Sequence, residues 1–355
     1  MNSLLKKFKK DKISLIAVIV LILMYLAILF ASFLSPYEKN RSNRELSYSP
    51  PVKIYTITPD NKLSKPYFYN LKREFNPHTL STTYHELRDK KHYINFFTKG
   101  YEYKLFGLFK TNIHLIGTDK DGELHLLGCD INGRDNFSRL LYGGRISLTI
   151  GFLALLISFP IGLIYGGISG YFGGKIDNIL MRISEAIMSI PTFYLLIILA
   201  AILPSNMTSA QRFALITVIL AFIGWAGFAR VVRGMVLSIK TEDYIKAAKS
   251  IGQSDFKIIL KHILPQTSSY VIIAIALSVP SFILAESGLS FLGLGIQQPD
   301  ASWGNMLKEA QEFANIMYRP WLLTPGFLIF IAVLSFNVIG DTIRDVLDPK
   351  SKIGR

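Results

Sequence analysis

Hydrophobic residues in this chain fall mostly into long unbroken runs, separated by polar stretches of very unequal length. A helix needs about 20 residues to cross a hydrocarbon core. Six runs are that long, near 13–35, 147–170, 184–204, 212–235, 267–288 and 324–345. They are continuous rather than alternating, which points to helices and excludes a transmembrane barrel. The pattern predicts an all-α polytopic membrane protein with six transmembrane helices. A 50% hydrophobic content and a mean hydropathy of +0.34 over 355 residues agree with it.

The longest polar stretch, 36–146, separates the first span from the second. It is aromatic and punctuated by proline, and residues 36–112 hold fourteen Lys/Arg against seven Asp/Glu. A structureless loop of that length is unusual, so a small β-containing insert is expected there. "VKIYTIT" and "IHLIGTDKDGELHLLG" alternate as strands do. In the second, "TDKDGE" predicts a hairpin turn with Gly122 at positive φ. "GTDKDG" and "GCDING" echo each other as Asp/Asn-Gly turns. They lack the distal glutamate of a calcium loop, so no metal is expected. "GRDNFSRLLYGGRISL" predicts a helix capped by Asp135, lying on the membrane surface as an elbow with Arg139 and Arg145 at the interface.

The net charge of +14 changes the picture only through its placement. Residues 1–12 carry five lysines and one aspartate. That puts the N-terminus in the cytoplasm by the positive-inside rule, and six spans return the C-terminal tail 346–355 to the same side. Residues 229–266 carry seven Lys/Arg, and the short segment 205–211 carries none. The charge therefore reads as orientation in a lipid bilayer, with no nucleic-acid partner. The first apolar run exceeds a signal-peptide core and lacks a small-x-small site, so an uncleaved span is expected. The single cysteine, Cys129, has no intrachain partner and reads as a small residue in a turn.

In the second run Gly162, Gly166, Gly170 and Gly174 recur every fourth residue, which makes a helix face open to a neighbouring backbone. Asp177, Glu185, Glu286, Asn337 and Asp341 lie near span ends, where anchoring and capping suit them.

The most amphipathic passage lies between the fourth and fifth spans: "DYIKAAKSIGQSDFKIILKHILPQ". Tyr244, Ala247, Ala248 and Ile251 form one stripe at helical spacing, with Lys246 and Lys249 off it. Gly252 ends that helix and Ser254 starts another, whose stripe is Phe256, Ile259, Leu260 and Ile263; Pro265 closes it before the fifth span. Two short helices hinged at a glycine make a knob. Its small alanines suit close approach by a protein surface better than burial in lipid.

"KAAKSIGQSDFKIILKHILP" resembles the EAA loop of ATP-binding-cassette importer permeases, with Ala247, Ala248, Gly252, Leu264 and Pro265 at the family spacing. Lys246 stands where the motif usually has glutamate, and His262 where a fuller motif has isoleucine. "GCDINGRDNFSRLLYGGRISL", "ILAESGLSFLGLG" at 283–295, "SWGNML" at 302–307 and "FNVIGDTIRDVLDP" at 336–349 add to the likeness. Together they resemble the C-type inner-membrane subunit of dipeptide/oligopeptide permeases, over the first span and nearly everything from residue 113 onward. The resemblance implies a five-helix core over 147–345 whose coupling loop, 240–265, seats on an ATPase. It also implies a homologous second permease, two ATP-binding-cassette ATPase subunits and an extracytoplasmic solute-binding protein as partners. Tyr244, Lys246, Ala247, Ala248, Ile251, Gly252, Leu264 and Pro265 become the docking set, with peptides as cargo and oligosaccharides or nickel chelates as alternatives.

The residues themselves exclude ATP chemistry in this chain. "SGYFGGKID" lacks the leading glycine and the Ser/Thr after lysine that a phosphate loop needs. The resemblance implies that ATP and Mg²⁺ belong to partner subunits, and no cofactor is expected here. A membrane enzyme is disfavoured because the histidines show no HExxH and no Gly-x-Ser-x-Gly elbow occurs, so no catalytic residues are assigned. A secondary transporter would carry inverted repeats and charges at the bilayer midplane, and neither is seen.

Overall fold

A computed structural model describes residues 11–58, 60–78, 81–204 and 206–347. Expectations for 1–10 and for the tail from 348 lie outside them. In chain order the helices are α1 (Lys12–Leu29), α2 (Ala31–Leu34), α3 (Asn136–Phe172), α4 (Gly174–Ser189), α5 (Thr192–Ala201) and α6 (Ser209–Ile239). After these come α7 (Asp243–Ser250), α8 (Asp255–Ile258), α9 (Ser268–Phe291), α10 (Trp303–Leu307), α11 (Phe313–Tyr318) and α12 (Thr324–Leu347). The chain divides into two compact units. One comprises the chain up to Leu21, Leu148–Leu289 and the chain from Phe330 on; the other comprises Ile22–Ser147 and Ser290–Ile329.

The first unit is helical. Among the described residues five helices are long and apolar enough to cross a membrane, or six if α4 and α5 count as one broken span. That break corrects the continuous third span expected at 184–204. Ile190 is extended (ψ 126°) before Pro191, and the two helices meet at 81°. Proline forces its predecessor out of the helical region and offers no N–H, so a run apolar throughout still breaks there. Pro265 does the opposite of what was expected. Ile259–Ile263 form a π turn and Leu264–Thr267 a 3-10 turn, and these carry α8 into α9 without a stop. At the start of the 3-10 turn, the missing proline N–H costs little.

α3 spans 37 residues, or about 55 Å. Its first turns replace the separate elbow expected before residue 147. Asp135 does cap it, accepting from the Ser138 amide at 2.7 Å. Arg139, expected at the lipid interface, is buried in the second unit. Its guanidinium donates to Pro299 O (3.1 Å) and Gln298 Oε1 (3.0 Å), beside Asp130. Arg145 donates to Ile28 O (2.7 Å) and Leu29 O (3.3 Å), neutralising the carbonyl end of α1.

The second unit carries the β structure expected of the insert. β1 (Tyr55–Ile57), β2 (Leu63–Phe68) and β5 (His92–Tyr93) form one antiparallel sheet. β3 (Leu71–Asn76) with β4 (Ser81–Glu86), and β6 (Asn95–Leu105) with β7 (Phe109–Gly117), form two hairpins. Val52, Phe68 and Leu124 make its core, with Leu71, Ile94, Ile116 and Leu126 packed around them. The hairpin expected around Gly122 does not form. β7 ends at Gly117, its partner is β6, and Gly122 closes an ordinary turn onto Asp119 O at 3.1 Å. The positive φ belongs instead to Phe106 (53°) and Gly107 (75°), in the β6–β7 turn. Cys129 is buried, its carbonyl accepting from Trp321 Nε1 at 3.3 Å.

Candidate functional site

The amphipathic loop lies in the helical unit, and its two faces separate clearly. In α7, Ile245 and Ala248 are buried, whereas Tyr244, Lys246, Ala247 and Lys249 are exposed. The expected stripe of Tyr244, Ala247, Ala248 and Ile251 is thus split. Ala248 turns inward with Ile245, a residue the stripe omitted, and the other three turn outward. Ile251 is 75% exposed. The chain then closes as a Schellman motif: Gln253 N donates to Ala248 O (3.2 Å) and Gly252 N to Lys249 O (3.0 Å). This requires the left-handed φ of +79° at Gly252.

Ser254 precedes α8 in extended conformation but makes no side-chain cap bond. Ile258, Ile259 and Ile263 face inward, and Phe256 (61%) and Leu260 (41%) face outward beside the exposed set of α7. The second stripe is therefore split as well. His262, the departure from the family pattern, shares a hydrogen bond with Gln253 Oε1 at 2.8 Å and so stitches the second helix to the hinge. Lys246 forms an exposed pair with Asp243 at 2.9 Å. Pro265 is exposed and Leu264 half-buried.

The inward side of the knob rests on α3. A Cβ placed on Gly167 would lie 3.2 Å from both Ile259 Cγ2 and Leu264 Cδ2, so the absent side chain is what lets the loop seat there. The Tyr171 hydroxyl donates to Asp255 Oδ1 at 2.5 Å. Lys240, in the turn after α6, donates to Gly170 O (2.8 Å) and Tyr171 O (3.3 Å), placing a cation on the carbonyl end of α3.

α3 is in turn locked to α6. A Cβ on Gly162 would meet Phe228 Cδ1 at 2.7 Å, one on Gly166 would meet Ala229 O at 2.4 Å, and one on Gly170 would meet Arg233 O at 2.8 Å. These three glycines share the face on which the α6 backbone lies. Gly174 does not join them. α3 ends at Phe172, Gly174 has φ +55°, and among the described residues no atom lies within 4 Å of where its Cβ would be. Four-residue spacing marks one face only while the helix lasts. Asp177 clasps three helices, accepting from Ser169 Oγ of α3 (2.5 Å) and from both Nε (3.0 Å) and Nη2 of Arg233 in α6.

These contacts link the loop to α3 and α3 to α6, and Tyr244, Ala247, Ile251, Phe256 and Leu260 face outward. Sequence reasoning missed Ile245, Gly167, Arg233, Lys240 and the Tyr171–Asp255 bond. Only the glycine pair 166–167 and the cations ending α6 hinted at them.

The described residues thus combine helices long and apolar enough to cross a membrane with an exposed amphipathic knob. Residues 158–353 match the family described as binding-protein-dependent transport system inner membrane component, and this chain belongs to that family. Residues 2–51 match the N-terminal TM domain of oligopeptide transport permease C. The dipeptide transport system permease protein DppC of Bacillus subtilis is 46% identical over 64% of this chain and 69% of its own length. The oligopeptide transport system permease protein OppC of Haemophilus influenzae is 43% identical over 64% and 71%. The glutathione transport system permease protein GsiD of Pectobacterium atrosepticum is 40% identical over 64% and 73%.

Proposed function

We propose that this chain is a permease subunit of an ATP-driven importer of short peptides, one of two homologous subunits that form the path. ATP and Mg²⁺ act in two separate ATPase subunits, and a solute-binding protein delivers the cargo. The N- and C-termini lie on the cytoplasmic side, which also holds the knob. The relatives named for dipeptides, oligopeptides and glutathione support the peptide reading.

One observation carries the coupling role: the outward face formed by Tyr244, Ala247, Ile251, Phe256 and Leu260, on a knob whose inward face is locked to two spans. An apolar patch on a piece that cannot slide independently suits a partner that pushes. When the ATPases close, each knob is displaced; α3 and α6 turn with it through the Gly167 seat, the Lys240 cap and the Asp177–Arg233 clasp, and the path exposes its other side. Coupled hydrolysis resets it.

The test is purification from mild detergent with and without Phe256→Asp. Wild-type chain should bring an ATP-binding-cassette protein with it and, in vesicles, take up peptide on ATP addition. The variant should insert normally and lose the companion. A variant that retains both companion and uptake would remove this face from the contact.

A further inference from the structure

The β6–β7 hairpin carries large apolar side chains outward: Phe97, Leu108 and Phe109 are 67%, 76% and 66% exposed, and Phe106 at its tip 49%. A hairpin standing in water is ordinarily charged at such positions. Its surroundings explain the departure. The Phe106 ring packs edge-on against Phe30 at 5.4 Å, and Phe97 lies 6.2 Å from Phe33, at the end of the first span. Residue 30 precedes residue 33 by about 4.5 Å of helix rise. The tip of the hairpin therefore touches the chain on the span side of the point that Phe97 touches.

Leu23, Leu26 and Leu29 of that span are 59%, 45% and 49% exposed, so the apolar surface continues from helix to hairpin. The Arg145 guanidinium on the carbonyls of Ile28 and Leu29 places a charge at the same level, as expected where a span leaves hydrocarbon. Lys104 and Lys110 face each other one rung behind the Leu105–Phe109 pair that bounds the turn. Neither has an ion-pair partner among the described residues. Like charges directly opposite are unfavourable in water but well placed for anionic lipid headgroups.

We propose that β6–β7 is a membrane-dipping hairpin. It seats Phe106, Leu108 and Phe109 at the acyl–headgroup boundary of the leaflet where the first span emerges, with Lys104 and Lys110 on anionic lipid headgroups. The insert is then a lipid-anchored element as well as a folded one.

The test places an environment-sensitive fluorophore at Leu108→Cys or, independently, at Phe109→Cys, in the full chain reconstituted into phosphatidylcholine/phosphatidylglycerol vesicles. Thr83→Cys in β4 is the water-exposed reference, and the native Cys129 is buried. At 108 and 109 the emission should be blue-shifted, quenched by acyl-chain nitroxide lipid and protected from iodide; at 83 the pattern should reverse. Iodide quenching at 108 and 109 equal to that at 83 would overturn the proposal. So would protection from both quenchers, which would mean that another protein covers the hairpin. Combining Leu108→Cys with Lys104→Glu and Lys110→Glu should raise iodide quenching in the mixed vesicles and leave it unchanged in pure phosphatidylcholine. No rise would remove the headgroup contact.

Discussion

The hydroxyl of Tyr171, in the last turn of α3, donates to the carboxylate of Asp255, in the first turn of α8. The bond ties a membrane-crossing helix to the knob at a point where neither backbone is continuous with the other. Tyr171→Phe removes only this bond, at a partly exposed site, and an ordinary hydrogen bond contributes about 0.5–1.5 kcal/mol. The variant should fold and retain its ATPase. Peptide moved per ATP hydrolysed should fall about two- to tenfold, because one of the knob's links to α3 is lost while the Gly167 seat and the Lys240 cap remain. Uptake and phosphate release measured in the same vesicles check this; an unchanged ratio would show that force travels elsewhere.

The glycine face of α3 predicts a graded series. Gly166→Ala would drive a Cβ into a backbone oxygen of α6 at 2.4 Å, where no rotamer change gives relief. Gly162→Ala meets first a Phe228 ring atom at 2.7 Å, which can tilt. Gly174→Ala meets nothing and bears only the left-handed strain of its φ, about 1–2 kcal/mol. Overpacking costs about 1–3 kcal/mol, so Gly166→Ala should lower the melting temperature in detergent more than Gly162→Ala. Gly174→Ala should leave α3–α6 packing intact, as read by crosslinking between the two helices. Equal crosslinking losses at 166 and 174 would contradict the geometry.

The spans were legible because a continuous apolar run has few other fates in a chain of this hydropathy. Pro191 was equally visible, but a proline within an apolar run is compatible with a kink or a break, and only packing decides. In the knob, a helix of eight residues completes little more than two turns, so two adjoining stripes fit the same letters. Ile245 and Ala248 took the inward one. Arg139 was misplaced for a different reason. A basic residue beside a span reads as interfacial, and its partners Gln298 and Pro299 lie some 160 residues away along the chain. Gly122 failed because β7 had a competing partner on its N-terminal side, in β6.

Glu309 gives the second unit a pH dependence. Burial raises its carboxyl from the usual range to about 7 and Asp130 adds to the rise, while the Ile131 amide, Arg134 and Arg139 oppose it. Its folded value lies above its unfolded value. Its contribution is therefore complete below about pH 4.5 and is lost as pH climbs through about 7, since the unfolded chain releases a proton the folded chain keeps. The full swing is at most about 3 kcal/mol. Burial opposes protonation of His125, but its bonds to Asp135, Cys129 and Glu123 outweigh that and raise it, so it adds a decline of its own above pH 6.5. The informative quantity is the difference between wild type and Glu309→Gln, which keeps an acceptor for Ile131. The variant should gain melting temperature over wild type between pH 5 and pH 8; a constant difference would refute the assignment.

Gly252 separates conformation from contact. Among the described residues no atom lies within 4 Å of where its Cβ would be, so the expected effect of substitution rests on the φ of +79° and not on crowding. Asparagine tolerates that region, alanine costs about 1–2 kcal/mol, and a β-branched residue is a genuine outlier there. If the hinge is needed only to aim Ile251 and Phe256 at a partner, uptake should rank wild type, Asn, Ala, Val in descending order. Membrane insertion and the melting temperature of the span bundle should meanwhile stay level, because α7 is short and mostly exposed. ATPase capture should follow the same ranking, since re-aiming the apolar pair is what destroys the seat. A Gly252→Val chain that captures its ATPase and transports at the wild-type rate would mean that the left-handed turn is dispensable, and that the knob engages its motor through α7 alone.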